Sequence, residues 1–171
     1  MNHVPTRAAL DAMLGAIAEA ARAPIEDRPR LVAEAIGAHV ADPLLLHGIA
    51  TPCCAERYVR HLLHEDPEGG WAVAALVWRP GQMSPVHAHR SWCSVGVHRG
   101  VLAESYYTSG AKLPMPDGVH LRRPGDITHG PADPRLIHRL ANLGCETAIS
   151  IHAYGLPYER FCSDLNLVLA D

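Results

Sequence analysis

A chain of 171 residues, 48% of them hydrophobic, is one domain's worth, long enough to bury about 70% of its unfolded surface. Its net charge of −3 comes with scattered basic residues, fourteen arginines and one lysine, so nothing resembles a nucleic-acid footprint. No apolar run reaches membrane-spanning length and no charged-then-apolar leader pattern opens the chain, so a cytoplasmic protein with no membrane partner is expected.

Residues 1–45 read as a helical layer. Met1–Thr6 is expected to be a frayed tail. Residues 7–23, RAALDAMLGAIAEAARA, place apolar side chains at helical spacing. Asp27 and Pro29 have the look of a cap and first-turn proline for a second helix over 28–41. The texture changes from Ala55 onward. Strands are expected over 57–64, 71–78, 101–108, 119–122, 136–140 and 147–154, divided by Gly- and Pro-rich turns. Many short strands without a linker or internal repeat predict a sandwich or barrel over 55–160, within one domain spanning 1–171.

The stretch Gly81–Gly100, GQMSPVHAHRSWCSVGVHRG, carries the chemistry. His87 and His89 are one residue apart, so alternation turns both to one face of a strand. The strand-like composition then runs on through Ser94–Val97 to the turn at Gly100. Two imidazoles on one face, with a third from a distant strand, make an open metal site, although imidazole suits several metals. Two residues compete for third ligand. His129 follows the Pro124-Gly125-Asp126 turn, in a segment that reads as loop; His138 opens His138-Arg139-Leu140-Ala141-Asn142 on a strand and is favoured. Five cysteines, an odd number with no CxxC pair, argue against a disulfide framework or a thiolate zinc site.

Near the end, Ser150, His152 and Tyr154 alternate on one strand face. The bland reading is a solvated polar face. Core-like Ala148, Ile149 and Ile151 favour an inward one, where the three groups satisfy one another and leave the tyrosine hydroxyl aimed into a cavity. With no nucleophile elbow and no Asp behind the His, this is not a hydrolase triad.

The spacing from Gly81 through His87, His89 and position 93 to Gly100 resembles the first motif of the cupin superfamily, with Cys93 where that motif has Glu. Together with His138…Asn142 and Ser150-His152-Tyr154, the region from about Tyr58 to Tyr158 resembles the thiol dioxygenases of the cysteine dioxygenase family. The resemblance implies a mainly β, cupin double-stranded β-helix barrel with N-terminal α-helices. It implies ferrous iron, Fe(2+), held by His87, His89 and His138, and an enzyme that adds both atoms of dioxygen to the sulfur of a small thiol. Tyr154, His152 and Ser150 would form the family's relay beside the metal. Tyr58 and Arg60 match a Tyr-x-Arg whose guanidinium binds the substrate carboxylate, which points to L-cysteine. Where related 3-mercaptopropionate dioxygenases carry Gln, this chain has Arg60. Cys93 resembles the cysteine that animal members join to the active-site tyrosine by a thioether, here Tyr154, although it stands one residue nearer the histidine pair. Alternative readings are the same chemistry on 3-mercaptopropionate or mercaptosuccinate, with Arg160 as a second anchor, a carbon–carbon-cleaving cupin dioxygenase, or a non-catalytic metal-binding cupin sensor. Oligomeric state and pathway stay open.

Overall fold

The computed structural model describes residues 7–110 and 113–170; the expected tail at Met1–Thr6 lies outside them. Two helices, α1 (Ala8–Ala20) and α2 (Arg28–Gly37), precede ten strands. The strands are β1 (Val59–Glu65), β2 (Ala72–Trp78), β3 (Val86–His89), β4 (Cys93–Arg99), β5 (Leu102–Thr108), β6 (Met115–Arg122), β7 (Ile127–Gly130), β8 (Ile137–Ala141), β9 (Ala148–Tyr154) and β10 (Asn166–Ala170). They form two antiparallel five-stranded sheets, β1-β2-β9-β4-β7 and β10-β3-β8-β5-β6.

The first sheet is covered on both sides, which accounts for the unbroken burial of β2 and β9. Val73, Ala75, Val77, Ile149, Ile151 and Ala153 meet Leu10, Met13, Ile17, Val32 and Ile36 of the helices. The opposite row of the same strands, Ala72, Ala74, Leu76, Trp78, Ala148 and Tyr154, faces Leu102 and Leu140 of the second sheet. Helix α2 lies close on β4: a Cβ at Gly96 would sit 2.5 Å from Ile36 Cγ2, and Ser94 Oγ donates to Pro29 O at 2.6 Å. Asp27 occupies the position before α2 but its side chain caps nothing.

Four local expectations differ from the structure. The histidine pair and the Cys93–Val97 segment are not one strand but β3 and β4, in opposite sheets. The chain crosses between them at Arg90–Trp92, and the indole of Trp92 fills the space a Cβ at Gly155 would need, 2.2 Å away. Residues 127–130, expected as loop, pair with β4 as β7. Strand β6 begins at Met115 rather than Val119, with a bulge opposite Tyr106 and Tyr107 that absorbs its Pro and Gly. Finally, β10 pairs with β3, a strand for which the polar Ser163-Asp164 lead-in gave no signal. Gly100 has φ 75° and ends β4 where a Cβ would meet the Ala148 backbone at 2.8 Å, so both the turn and the contact require glycine.

Candidate metal centre

Antiparallel pairing brings the histidines together. His87 and His138 are direct partners across β3 and β8, and the two-residue repeat adds His89 to the same inward face. One ring nitrogen from each lies within 4.8 Å of the others, and all three residues are buried. His89 Nε2 and His138 Nε2 are 3.1 Å apart.

The far side of each ring shows which nitrogen points inward. His87 Nδ1 meets Pro85 O at 2.9 Å, and His138 Nδ1 meets the Glu104 carboxylate at 2.9 Å. Those acceptors put the proton on Nδ1 and turn the Nε2 lone pairs toward the centre. His89 Nδ1 is buried without a partner among the described residues, as is the Oδ1 of Asn166, its cross-strand neighbour. Burial pushes His87 down to about 3 and His89 well below the ordinary histidine value. Three convergent imidazoles, two of them with outer nitrogens backed by acceptors, fit a divalent metal with open positions. His129, the competing third residue, is exposed on β7 and opposite Ser94.

The relay residues are joined as their alternation suggests. Trp78 Nε1 donates to Ser150 Oγ at 2.9 Å, Ser150 Oγ lies 2.7 Å from His152 Nε2, and His152 Nδ1 lies 2.7 Å from the Tyr154 hydroxyl. An indole N–H can only donate. The arrangement that uses every donor therefore runs Trp78 to Ser150 to His152 to Tyr154 and leaves the tyrosine O–H directed into the cavity. Burial holds His152 neutral, pushed down to about 3, and raises the Tyr154 phenol.

Arg60 Nη2 donates to the Tyr58 hydroxyl at 2.9 Å, and Tyr58 stacks on Trp78 with ring centroids 4.2 Å apart. Tyr158, not singled out in the sequence, donates to the Arg60 carbonyl at 2.9 Å. The Arg60 Nε is buried without a partner among the described residues. Arg60, Tyr58, Tyr154, His152 and the three histidines line one small cavity of about 10 Å³. An outer cleft of about 460 Å³ shares Tyr58 and Arg60 with it. Arg160 is elsewhere, paired with Asp164 at 2.6 Å. Met83 is exposed and Trp92 packs under the helices, so neither lines the cavity.

Cys93 and Tyr154 are cross-strand partners in β4 and β9 and belong to the same buried cluster. Burial pushes the Cys93 thiol up to about 12.

The family model for cysteine dioxygenase type I matches residues 49–164. The chain belongs to this family. Membership makes it a metal-dependent thiol dioxygenase with a cupin fold, using a small-molecule thiol and dioxygen. Among solved structures, an uncharacterized conserved protein with a double-stranded β-helix domain from Klebsiella pneumoniae subsp. pneumoniae MGH 78578 is 20% identical. That match has a TM-score of 0.52 and covers 71% of this chain and 86% of the other. The protein TT1209 from Thermus thermophilus is 16% identical, with a TM-score of 0.51 over 63% of this chain and 90% of the other. Both are likenesses of fold, the double-stranded β-helix that the family implies. No described helix is long and apolar enough to cross a membrane.

The buried Glu104, like Tyr158, was not singled out by the sequence pattern. Leu102, Glu104 and Tyr106 alternate inward on β5, and a lone carboxylate in such a row was the available signal. Burial by itself would raise its carboxyl, but the hydrogen bond with His138 and the charges around it hold it down to about 2.

Proposed function

We propose that this member of the family is a ferrous iron-dependent dioxygenase that converts L-cysteine to its sulfinate, with His87, His89 and His138 as the metal ligands. The observation that carries the substrate class, a small thiol carboxylate, is the buried Nε of Arg60, without a partner among the described residues, in a wall shared by the outer cleft and the histidine cavity. Within that class, Arg60 where the related 3-mercaptopropionate dioxygenases carry Gln favours cysteine. A guanidinium offers a planar fork to a carboxylate, and an unmet buried donor costs about 1–3 kcal/mol until something accepts from it.

Bound at the histidines, ferrous iron supplies the charge that favours a thiolate and the redox chemistry that activates dioxygen. The protein's own groups do the rest. Arg60 anchors the carboxylate, with its guanidinium aimed by the Tyr58 hydroxyl and its backbone fixed by Tyr158. The Tyr154 hydroxyl, its orientation set by His152, Ser150 and Trp78, donates a hydrogen bond toward the reacting sulfur and oxygen. The thiol loses its proton, the sulfur gains both atoms of one dioxygen, and the product is the sulfinate. No further reductant is needed, because the sulfur supplies all four electrons.

The test is dioxygen uptake by protein reconstituted anaerobically with ferrous iron and offered cysteine, 3-mercaptopropionate or mercaptosuccinate, with products identified by mass. A preference for cysteine supports the reading. Preference for 3-mercaptopropionate would retain the chemistry and remove the substrate assignment; no uptake with iron bound would leave a metal-binding barrel of another function.

A further inference from the structure

The metal reading leaves one buried charge unassigned. Glu104 is 1% exposed, on the inward face of β5, and its two oxygens are divided between two partners. Oε1 lies 2.9 Å from His138 Nδ1, while Oε2 accepts from Arg122 Nε at 2.8 Å. Arg122 then donates from Nη2 to the Tyr106 hydroxyl at 2.8 Å. A connected path thus runs from edge strand β6 across β5 to the histidine on β8. Burying a carboxylate is costly unless its charge and its acceptor capacity are both used, and here they are.

The carboxylate can only accept, so His138 must hold its proton on Nδ1 and present Nε2 to the centre. In the cupin motif that the Gly81–Gly100 segment resembles, a glutamate stands where this chain has Cys93. Here a carboxylate from another strand contacts a histidine of the cluster instead.

We propose that Glu104 is a positioning residue of the metal centre: it fixes the tautomer and orientation of His138 and places one negative charge behind the ligand set, with its second oxygen held by Arg122, which is in turn tied to the Tyr106 hydroxyl. This rests on the three histidines being metal ligands. Acceptors behind metal-bound histidines typically change metal affinity 10- to 100-fold.

A cavity of about 90 Å³ adjoins Glu104, lined also by His89, Cys93, Thr128, Leu136 and His138, and it allows a test by chemical rescue. Removing the side chain in Glu104→Ala leaves space for a small carboxylate beside His138 Nδ1. Ferrous iron affinity would be measured anaerobically by chelator competition, and the visible spectrum of the cobalt(II)-substituted protein would report ligand geometry. Glu104→Ala should weaken iron binding about 10- to 100-fold and shift the cobalt bands. Formate should restore both in a saturable way without affecting the unsubstituted protein; formamide, matched in size but neutral, should not.

Glu104→Gln keeps the shape and an acceptor but loses the charge, and should give a smaller loss of affinity. This variant decides the matter if the alanine protein does not fold. Unchanged iron affinity and cobalt spectrum in Glu104→Gln and Glu104→Ala would overturn the proposal. So would equal rescue by formate and formamide, which would show that Glu104 only fills space. Failure of the unsubstituted protein to bind iron would instead remove the metal reading beneath it.

Discussion

Replacing Arg60 by methionine removes the guanidinium while keeping an unbranched side chain against Tyr58 and Trp78. A carboxylate bound by the fork accepts about two charge-assisted hydrogen bonds, each worth about 1.5–3 kcal/mol in net terms. The site is partly open to the outer cleft, so a combined loss of about 2–4 kcal/mol is expected, or roughly 30- to 1,000-fold in kcat/KM. The loss should fall mainly on KM, because carboxylate binding is the same in ground and transition states. The assay is initial-rate dioxygen consumption by the iron-loaded protein, with cysteine and with cysteamine, which lacks the carboxylate. The native protein should prefer cysteine strongly; Arg60→Met should lose that preference while its rate with cysteamine changes little. Arg60→Lys should recover only part, since an ammonium keeps the charge without the fork. An unchanged cysteine KM in Arg60→Met, or equal losses with both thiols, would place the carboxylate elsewhere and refute the reasoning.

Further outcomes follow from the same geometry. His138→Ala should abolish stoichiometric iron binding and His129→Ala should leave it intact, as measured by metal analysis after anaerobic loading and desalting; the reverse would mean the wrong third ligand. Cross-strand pairing of Cys93 with Tyr154 should permit a carbon–sulfur link after turnover with iron and dioxygen, read as an intact-mass loss of two hydrogens that Cys93→Ala removes. Separate unmodified Cys93 and Tyr154 peptides after exhaustive turnover would exclude it. Trp78→Phe removes the indole donor at the head of the relay and the partner of Ser150, and should lower kcat several-fold with iron affinity unchanged; an unaltered kcat would show that the relay needs no such anchor. His152, neutral in the fold and pushed down to about 3, takes up a proton only on unfolding as pH falls below about 6.5. The metal-free protein should therefore be most stable above that pH and lose on the order of a few kcal/mol toward pH 3, with a melting temperature that stays level from pH 7 to 5 counting against it.

The sequence was most legible where period and burial agree. The row Ser150-His152-Tyr154 could be assigned to an inward face because the alternate residues beside it, Ile149 and Ile151, needed a hydrophobic partner of their own, and helices α1 and α2 provide it. The sheet assignment of β3 and β4 was not legible, since composition continues across Arg90–Trp92 and the crossover is decided by the distant contact of Trp92 with Gly155. Strand β10 was missed for a related reason: with its residues half-buried or exposed, its pattern carries little alternation, and pairing with β3 defines it.

The site divides along the same line. His87, His89 and the relay are spaced by local geometry, so a two-residue repeat was enough to find them. Glu104, Arg122 and Tyr158 contribute through partners far away in sequence, and neighbouring residues give no motif for them. Glu104 backs His138 and is itself held by Arg122, and Tyr158 secures Arg60, while Asn166 stands opposite His89 across the β10–β3 pair. A buried polar group in an otherwise apolar strand row must find a partner or be lost to selection for stability. The inward Glu of Leu102-Glu104-Tyr106 was therefore a sequence-level sign of a cationic or imidazole partner, although only the pairing of β5 with β8 shows that the partner is His138.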